Sequence, residues 1–181
     1  MHKFLFLLCL LFSLDAASQN IYTLKEGDIS FFSETPVENI EAHNQNVYAF
    51  LNTTSREMAF RVPVRKFKFQ KALMEEHFNE KYMESDKYPM STFRGKINEE
   101  VDLSKNGEYK VTATGKLSMH GVEREVTAPG TLAVKNGEIT LQSDFPVLVK
   151  DYDIDIPQLV FQNIAESIAV KVRIKFTPYT Q

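Results

Sequence analysis

A strict alternation of apolar and polar residues constrains the fold of this chain more than any other feature. It is clearest over residues 168–176, where apolar side chains alternate with mostly basic ones. Successive side chains of a strand point to opposite faces, so the pattern predicts a strand with one buried and one exposed face. The same period recurs over residues 58–64, 109–119, 132–134 and 139–141. We therefore expect an antiparallel all-β domain.

Turn signals separate these runs. The string KNGE occurs at 105–108 and again at 135–138. An Asn-Gly pair between alternating runs predicts a two-residue type I′ hairpin, because both central residues need positive φ. A further reversal is expected at 52–55. These short turns favour neighbouring antiparallel strands.

Three more positions predict irregularities in the strands. Gly121 and the Ala128-Pro129-Gly130 string indicate a bend or bulge between two long strands. Pro63 lies inside an alternating run, and proline cannot donate to a strand ladder, so that strand should be an edge strand or bulged there.

One segment departs from the β pattern. Residues 67–95 are rich in aromatic residues and contain a helical repeat of side chains that would share one face: Leu73, Met74, His77, Phe78 and Tyr82. This spacing predicts one short helix over about 71–82, beside the mouth of a barrel. A short helical turn could also form at 157–164. We expect eight strands closed into a barrel, with a two-layer sandwich as the alternative.

The N-terminus is typical of an export signal. His2 and Lys3 precede an apolar run over 4–14, and small residues follow at 16–18. The run is shorter than the roughly 20 residues that span a bilayer. We therefore predict a signal peptide over 1–18 and a single domain over 19–181. That domain contains no cysteine and carries a slightly acidic net charge, which argues against a nucleic-acid partner.

The candidates for catalysis or metal binding are weak. Ser118 and His120 share a strand face, but no third residue is evident to orient the imidazole. Asp151, Asp153 and Asp155 resemble the start of a calcium loop, which the residues at its sixth and twelfth positions do not complete. A solvated acidic loop is favoured over adventitious cation binding. The aromatic residues of 67–95 could either fill the core or line an apolar pocket.

Three sequence blocks resemble the YceI-like family of lipid- and polyisoprenoid-binding proteins. The first comprises MEEHFNEKYME at 74–84, KYP at 87–89 and TFRG at 92–95. The second is GKLSMHGV at 115–122 with EVT at 125–127, and a weaker third is SDF at 143–145 with KDY at 150–152. The resemblance covers residues 29–176. The acidic string at 151–155 departs from the expected pattern, so the resemblance does not define the polar headgroup of a ligand.

The resemblance implies an exported, periplasmic or secreted, lipocalin-like barrel that is not an enzyme and needs no cofactor or metal. Its expected partner is a polyisoprenoid or another long-chain lipid, held for carriage, storage or sequestration. A filled-core stress-protective barrel and a lipid-directed hydrolase or isomerase are the alternatives, and a homodimer is left open. The residues expected to line the cavity are Phe60, Val62, Phe67, Phe69, Leu73, Phe78, Tyr82, Phe93, Val111, Leu117, Val170, Val172 and Ile174.

Overall fold

The computed structural model describes residues 20–36, 38–156 and 165–179. These residues form ten strands: β1 Ile21–Ser33, β2 Ile40–Asn44, β3 Tyr48–Asn52, β4 Glu57–Pro63, β5 Lys68–Phe69, β6 Met90–Ile97, β7 Gly107–Met119, β8 Val122–Lys135, β9 Glu138–Leu148 and β10 Ser167–Pro178. Helix α1, Ala72–His77, continues into a π-helical turn, Phe78–Tyr82, which confirms the predicted short helix. The predicted signal peptide and the turn at 157–164 lie outside the described residues.

The strands close into an eight-stranded antiparallel barrel, as predicted. β1 pairs with β10, which joins the two ends of the sheet. β2 and β3 pair with β1 in one continuous register, with Asn44 opposite Ile29 and Phe50 opposite Thr23. They are therefore two parts of one barrel strand. β4 and β5 pair with β3 and β2 in turn, so they also share one position in the barrel.

One end of the barrel is filled by side chains. We call it the closed end, and its fully buried residues are Leu51, Ile97, Leu132, Ile139 and Phe176. Leu103, in the connection between β6 and β7, is also buried against this cluster. At the opposite end, which we call the helix end, α1 contacts β5, and Phe78 of the π-helical turn packs against Phe31 of β1 and Phe69 of β5.

The two KNGE strings adopt different structures. Asn136 (φ 52°) and Gly137 (φ 81°) form the predicted tight turn between β8 and β9. The same prediction is wrong for Asn106 and Gly107, because Gly107 opens β7 and pairs with Val134. The Asn106 Oδ1 instead accepts a hydrogen bond from the Asn136 backbone N at 3.0 Å. Asn106 of the first string thus stabilises the turn formed by the second string. The chain reverses between β6 and β7 through a longer connection instead of a two-residue turn.

The structure also contains the two other predicted changes of chain direction. The reversal at 52–55 is confirmed, with the Asn52 side chain accepting hydrogen bonds from two following amides. Gly121 (φ 78°) lies in the tight β7–β8 turn, which is the bend predicted between the two long strands.

The two irregularities predicted at prolines have different outcomes. Residues 128–130 pair with β7 without a register shift, so no bulge interrupts β8 there. Pro129 instead lies just before Thr131, where pairing between β8 and β9 begins. At Pro63 the prediction of an edge or irregularity holds, because β4 pairs there with β6 but no longer with β3, and a 3₁₀ turn, Val64–Lys66, follows. Pro63 is tolerated because it ends that strand beyond the last residue pairing with β3. Its carbonyl accepts a hydrogen bond from Asn44 Nδ2.

Candidate functional site

An internal cavity of about 560 Å³ occupies the helix end of the barrel. Its wall is mostly apolar and is contributed by strands from around the whole barrel together with α1. The volume falls within the range of roughly 300–1,000 Å³ that is usual for small-molecule sites. The same alternation that buries the closed end therefore lines an apolar cavity at the helix end.

All of the predicted cavity residues line this space except Ile174. Ile174 shares the inward face of β10 with Val170 and Val172, but it lies nearer the closed end and is buried in the core. Alternation shows which residues of a strand point inward, but not how far along the barrel axis each one lies. This is why Ile174 was predicted to line the cavity although it lies in the core. Contact between the other residues and a ligand stays a prediction.

The helical segment presents one continuous face to the cavity. Leu73, Met74, His77, Phe78 and Tyr82, the residues of the predicted face, all line it. The segment ends in a π-helical turn in which the Met83 N donates to the Phe78 carbonyl at 2.8 Å. π-helical turns are rare and are often found at functional sites, and here the turn also brings Met83 to the cavity wall.

An aromatic cluster anchors the helix to the barrel. The Phe78 ring lies 5.4 Å from Phe31, 5.6 Å from Phe67 and 5.0 Å from Phe69, measured between centroids. All four rings also line the cavity. The cluster therefore combines the two roles left open by the sequence, because its members pack against one another and form part of the pocket wall.

Sequence reasoning missed several lining residues, including Phe31, Met58, Met119, Val126 and Phe145. Phe145 could have been found by extending the alternation of residues 139–141 along β9. Phe31 is adjacent to Phe32, so period alone does not show which ring points inward. Val126 lies where β8 no longer pairs with β9, a feature that the sequence does not reveal.

Polar groups lie where the cavity opens to solvent. Leu73 lines the cavity but is 60% exposed, which places the mouth beside the first turn of α1. Lys71 and Glu38 also line it and form an ion pair with each other. His77 and Tyr82 line the wall further along the helix. Burial raises the pKa of the Tyr82 phenol, so it remains a protonated hydrogen-bond donor at neutral pH.

His120 connects three segments at the helix end. Its Nδ1 donates to the Tyr152 carbonyl at 3.0 Å, and its Nε2 lies 2.9 Å from Glu84 Oε2. The Tyr88 ring packs edge-on against it at 4.7 Å. Both ring nitrogens are thus occupied by partners other than Ser118. The imidazole fixes the segment after the helix to the β7–β8 turn, and Glu84 is the orienting residue that the sequence did not reveal.

The acidic string lies at the helix end. Asp151 belongs to a 3₁₀ turn, Val149–Tyr152, and its carbonyl accepts a hydrogen bond from Arg124 Nε at 2.9 Å. Asp153 and Asp155 are exposed. In the described part of the chain, no group of three His, Cys, Asp or Glu side chains is arranged to hold a metal ion. Among the same residues, none of the helices has the length and apolar character needed to span a membrane.

Comparison with known sequences identifies the family. The sequence model of the YceI-like domain matches residues 13–176, most of the chain. This chain belongs to the YceI-like family. No protein with a curated function matches the sequence.

Solved structures share the fold of this YceI-like chain. A polyisoprenoid binding domain from Saccharophagus degradans, implicated in plant cell wall breakdown, superposes with a TM-score of 0.74 at 14% identity, covering 87% of this chain and 98% of that one. Burkholderia cenocepacia BcnA superposes at 0.69 with 18% identity, covering 82% and 95%. The Campylobacter jejuni YCEI protein superposes at 0.65 with 13% identity, covering 82% and 90%. At these identities the likeness shows the fold alone.

Proposed function

We propose that this YceI-like protein is an exported binding protein that holds a polyisoprenoid or another long-chain lipid in its barrel cavity. The single observation that carries the proposal is the apolar cavity of about 560 Å³ that opens beside α1. Each methylene group moved from water into such a cavity contributes about 0.8 kcal/mol, so a tail of several isoprene units binds without any charged contact. A structural neighbour described as a polyisoprenoid binding domain supports this ligand class.

The cavity weighs against a purely structural, filled barrel. Phe93, Leu117 and Val170 line it while remaining only partly buried, so apolar surface at the helix end is available to a ligand. Catalysis has less support. His120 is held by Glu84 and the Tyr152 carbonyl, which leaves it without a contact to Ser118.

Lipid extraction tests the binding function directly. The full chain is expressed in a bacterial host, purified without detergent, extracted with organic solvent and examined by mass spectrometry. We expect a long-chain lipid in stoichiometric amount, and export to appear as a mature protein that lacks about the first 18 residues, as predicted for such leaders. An extract without lipid, together with no uptake of the apolar fluorophore 1-N-phenylnaphthylamine, contradicts the proposal.

A pair of adjacent substitutions locates the ligand. Val170 lines the cavity, whereas its neighbour Lys171 is exposed on the outer face of β10. We expect Val170→Trp to fill part of the cavity and to weaken fluorophore binding by about ten-fold, which corresponds to about 1.4 kcal/mol. Lys171→Trp adds the same side chain outside the barrel and should leave binding unchanged. Equal effects of the two variants place the ligand elsewhere.

A further inference from the structure

The barrel wall is not joined by strand pairing along its whole length. β8 and β9 pair from the turn that connects them only as far as Thr131 and Gln142. Beyond this point, β8 continues over 122–130 in its ladder with β7, and β9 continues over 143–148 in its ladder with β10. All residues of these two segments are described, and no ladder pairing joins one segment to the other. We call the space between them the β8–β9 gap.

The β8–β9 gap connects the cavity with the outer surface. Inward residues on both of its edges line the cavity: Val126, Ala128 and Gly130 on β8, and Phe145 and Val147 on β9. Pro129 and Ser143, which face each other across the gap, line both the cavity and a second pocket. The other residues of that second pocket include Lys110 and Asp144, which are exposed on the outside of the barrel. The inner and outer spaces therefore meet where the two strands separate.

A hydrogen bond holds each end of the gap. Next to the paired region, Ser143 Oγ donates to the Pro129 carbonyl at 2.5 Å. At the other end, Arg124 Nε donates to the Asp151 carbonyl at 2.9 Å. Arg124 and Pro129 are five residues apart, which corresponds to about 16 Å along a strand. The gap is therefore a bounded opening in the wall and not a frayed strand end.

Two prolines prevent the edges of the gap from pairing. The Pro129 carbonyl points toward β9, because it accepts the hydrogen bond from Ser143. The N–H and C=O of one residue point to the same side of an antiparallel strand, so the donor that Pro129 lacks belongs on this side. If the observed register continued, Pro146 would lie opposite Thr127 with its backbone groups toward β8. Each edge thus lacks a donor where the ladder would otherwise continue.

The gap and the mouth beside α1 differ in chemical character. The mouth is bordered by the Glu38–Lys71 ion pair. The gap is bordered by apolar side chains, and Leu148, the last residue of β9, is 40% exposed beside it. An apolar chain therefore finds apolar contacts along the gap, both outside and inside the wall. It can also pass sideways through an opening of this length, whereas the mouth admits it end on.

We propose that the β8–β9 gap is a lateral opening through which an apolar ligand enters and leaves the cavity. This inference rests on the proposed binding function and goes beyond it, because it assigns a route that binding itself does not define. Closing a route slows association and release by the same factor and leaves the affinity unchanged. The route can therefore be tested separately from binding.

A covalent bridge across the gap tests the route. Thr127→Cys and Pro146→Cys place two thiols on opposite edges, and Cys9→Ser removes the natural cysteine of the full chain. The thiols are joined by a reducible bismaleimide, and stopped-flow fluorescence measures association and release of 1-N-phenylnaphthylamine. We expect both rates to fall by about ten-fold with little change in affinity, and to recover when the bridge is reduced.

The matched control bridges the same two strands where they are paired. Ala133 lies opposite Thr140 beyond the gap, so Ala133→Cys with Thr140→Cys should leave both rates unchanged. Equal rates before and after bridging the gap, or equal slowing in the control pair, overturn the lateral route while binding stands. If the protein takes up no fluorophore even before bridging, the proposed function fails together with the inference.

Restoring the missing donors tests the same route without a reagent. Pro129→Thr combined with Pro146→Thr returns an N–H to each edge, so we expect the two strands to pair further, the Thr127 amide to become protected from hydrogen exchange, and both rates to fall. Pro178→Thr is the control, because Pro178 ends β10 and does not line the cavity. Protection of Thr127 without slower fluorophore exchange contradicts the inference. A Thr127 amide that is already protected in the natural chain means that the gap is not open.

Discussion

The two ends of the barrel are built from the same strands but are packed in opposite ways. At the closed end, inward side chains such as Leu132 and Phe176 are fully buried against one another. At the helix end, inward side chains such as Phe93 and Leu117 are only partly buried and surround the cavity. The chemical character of the inward residues is similar at both ends, so the difference lies in what faces them.

β10 shows this division within a single strand. Ile174 and Phe176 lie in the core of the closed end, whereas Ile168 and Val170 line the cavity. Apolar burial stabilises by about 25 cal/mol per Å² whether the covering surface is protein or ligand. The closed end completes that burial during folding, whereas the helix end leaves apolar surface uncovered around the cavity. Under the proposed binding function, stability and binding are therefore separated along the barrel axis.

The strongest test of this separation compares two leucines. Leu132→Ala opens a new cavity in a fully packed region and should lower the free energy of unfolding by about 2–5 kcal/mol. Leu117 already borders the cavity, so Leu117→Ala should cost only about 1–2 kcal/mol in the lipid-free protein, mostly from lost transfer energy. Urea unfolding followed by circular dichroism measures both values. Equal losses at the two positions contradict the division between the two ends.

The second test concerns the way the helix end is held. His120→Asn keeps a residue that tolerates the left-handed backbone (φ 51°), but its side chain is too short to reach Glu84 and Tyr152 together. We expect a loss of about 1–3 kcal/mol, because the buried carbonyl of Tyr152 loses its donor. Fluorophore binding should weaken as well, since the segment after the helix is released. Ser118→Ala is the control and should change neither quantity.

The third test compares the tight turns at the two ends. Gly137 has positive φ with open space around it, so Gly137→Ala should cost about 1 kcal/mol of backbone strain alone. Gly121 also has positive φ, but a Cβ there would lie 2.6 Å from the Tyr88 ring that packs on His120. Gly121→Ala should therefore cost about 1 kcal/mol more than Gly137→Ala. Thermal unfolding of the two variants measures the difference, and equal melting temperatures argue against tight packing around His120.

The sequence alone predicts the inward faces and the short helix, because side-chain periodicity is a local property, and it favours the barrel over a sandwich without deciding between them. It does not predict which turn each KNGE string forms. Asn106 and Asn136 have the same neighbours, but the connection before Asn106 places Leu103 in the core, and the Asn106 side chain accepts a hydrogen bond from the Asn136 amide. The outcome at this turn depends on tertiary contacts that no local pattern contains.

The candidate site shows the same limit. The helix face was predictable because its repeat lies within a dozen residues. The placement of Ile174 in the core, rather than in the cavity wall, depends on its level along the barrel axis. The contact between Glu84 and His120 joins residues 36 positions apart, and nothing in either sequence block indicates it. The face of the sheet to which a side chain points was therefore predictable. Its level along the barrel axis and its long-range contacts were not.

The smallest expected effect lies in the loop that covers the closed end. Lys105, together with the Ser104 hydroxyl and amide, lowers the pKa of the Asp102 carboxyl from 3.8 to about 2. A lowered pKa in the folded state means that Asp102 contributes stability above pH 3.8, and this contribution is lost as the pH falls through about 2. An NMR titration should give a midpoint near 2 at low salt, and Asp102→Asn should reduce the loss of stability in acid.

Salt distinguishes the causes of this shift. The Asp102 side chain is about half exposed, so added salt should screen its attraction to Lys105 and raise the midpoint part of the way to 3.8. The hydrogen bonds from Ser104 are local and should persist. A midpoint of 3.8 already at low salt means that the loop does not hold Asp102.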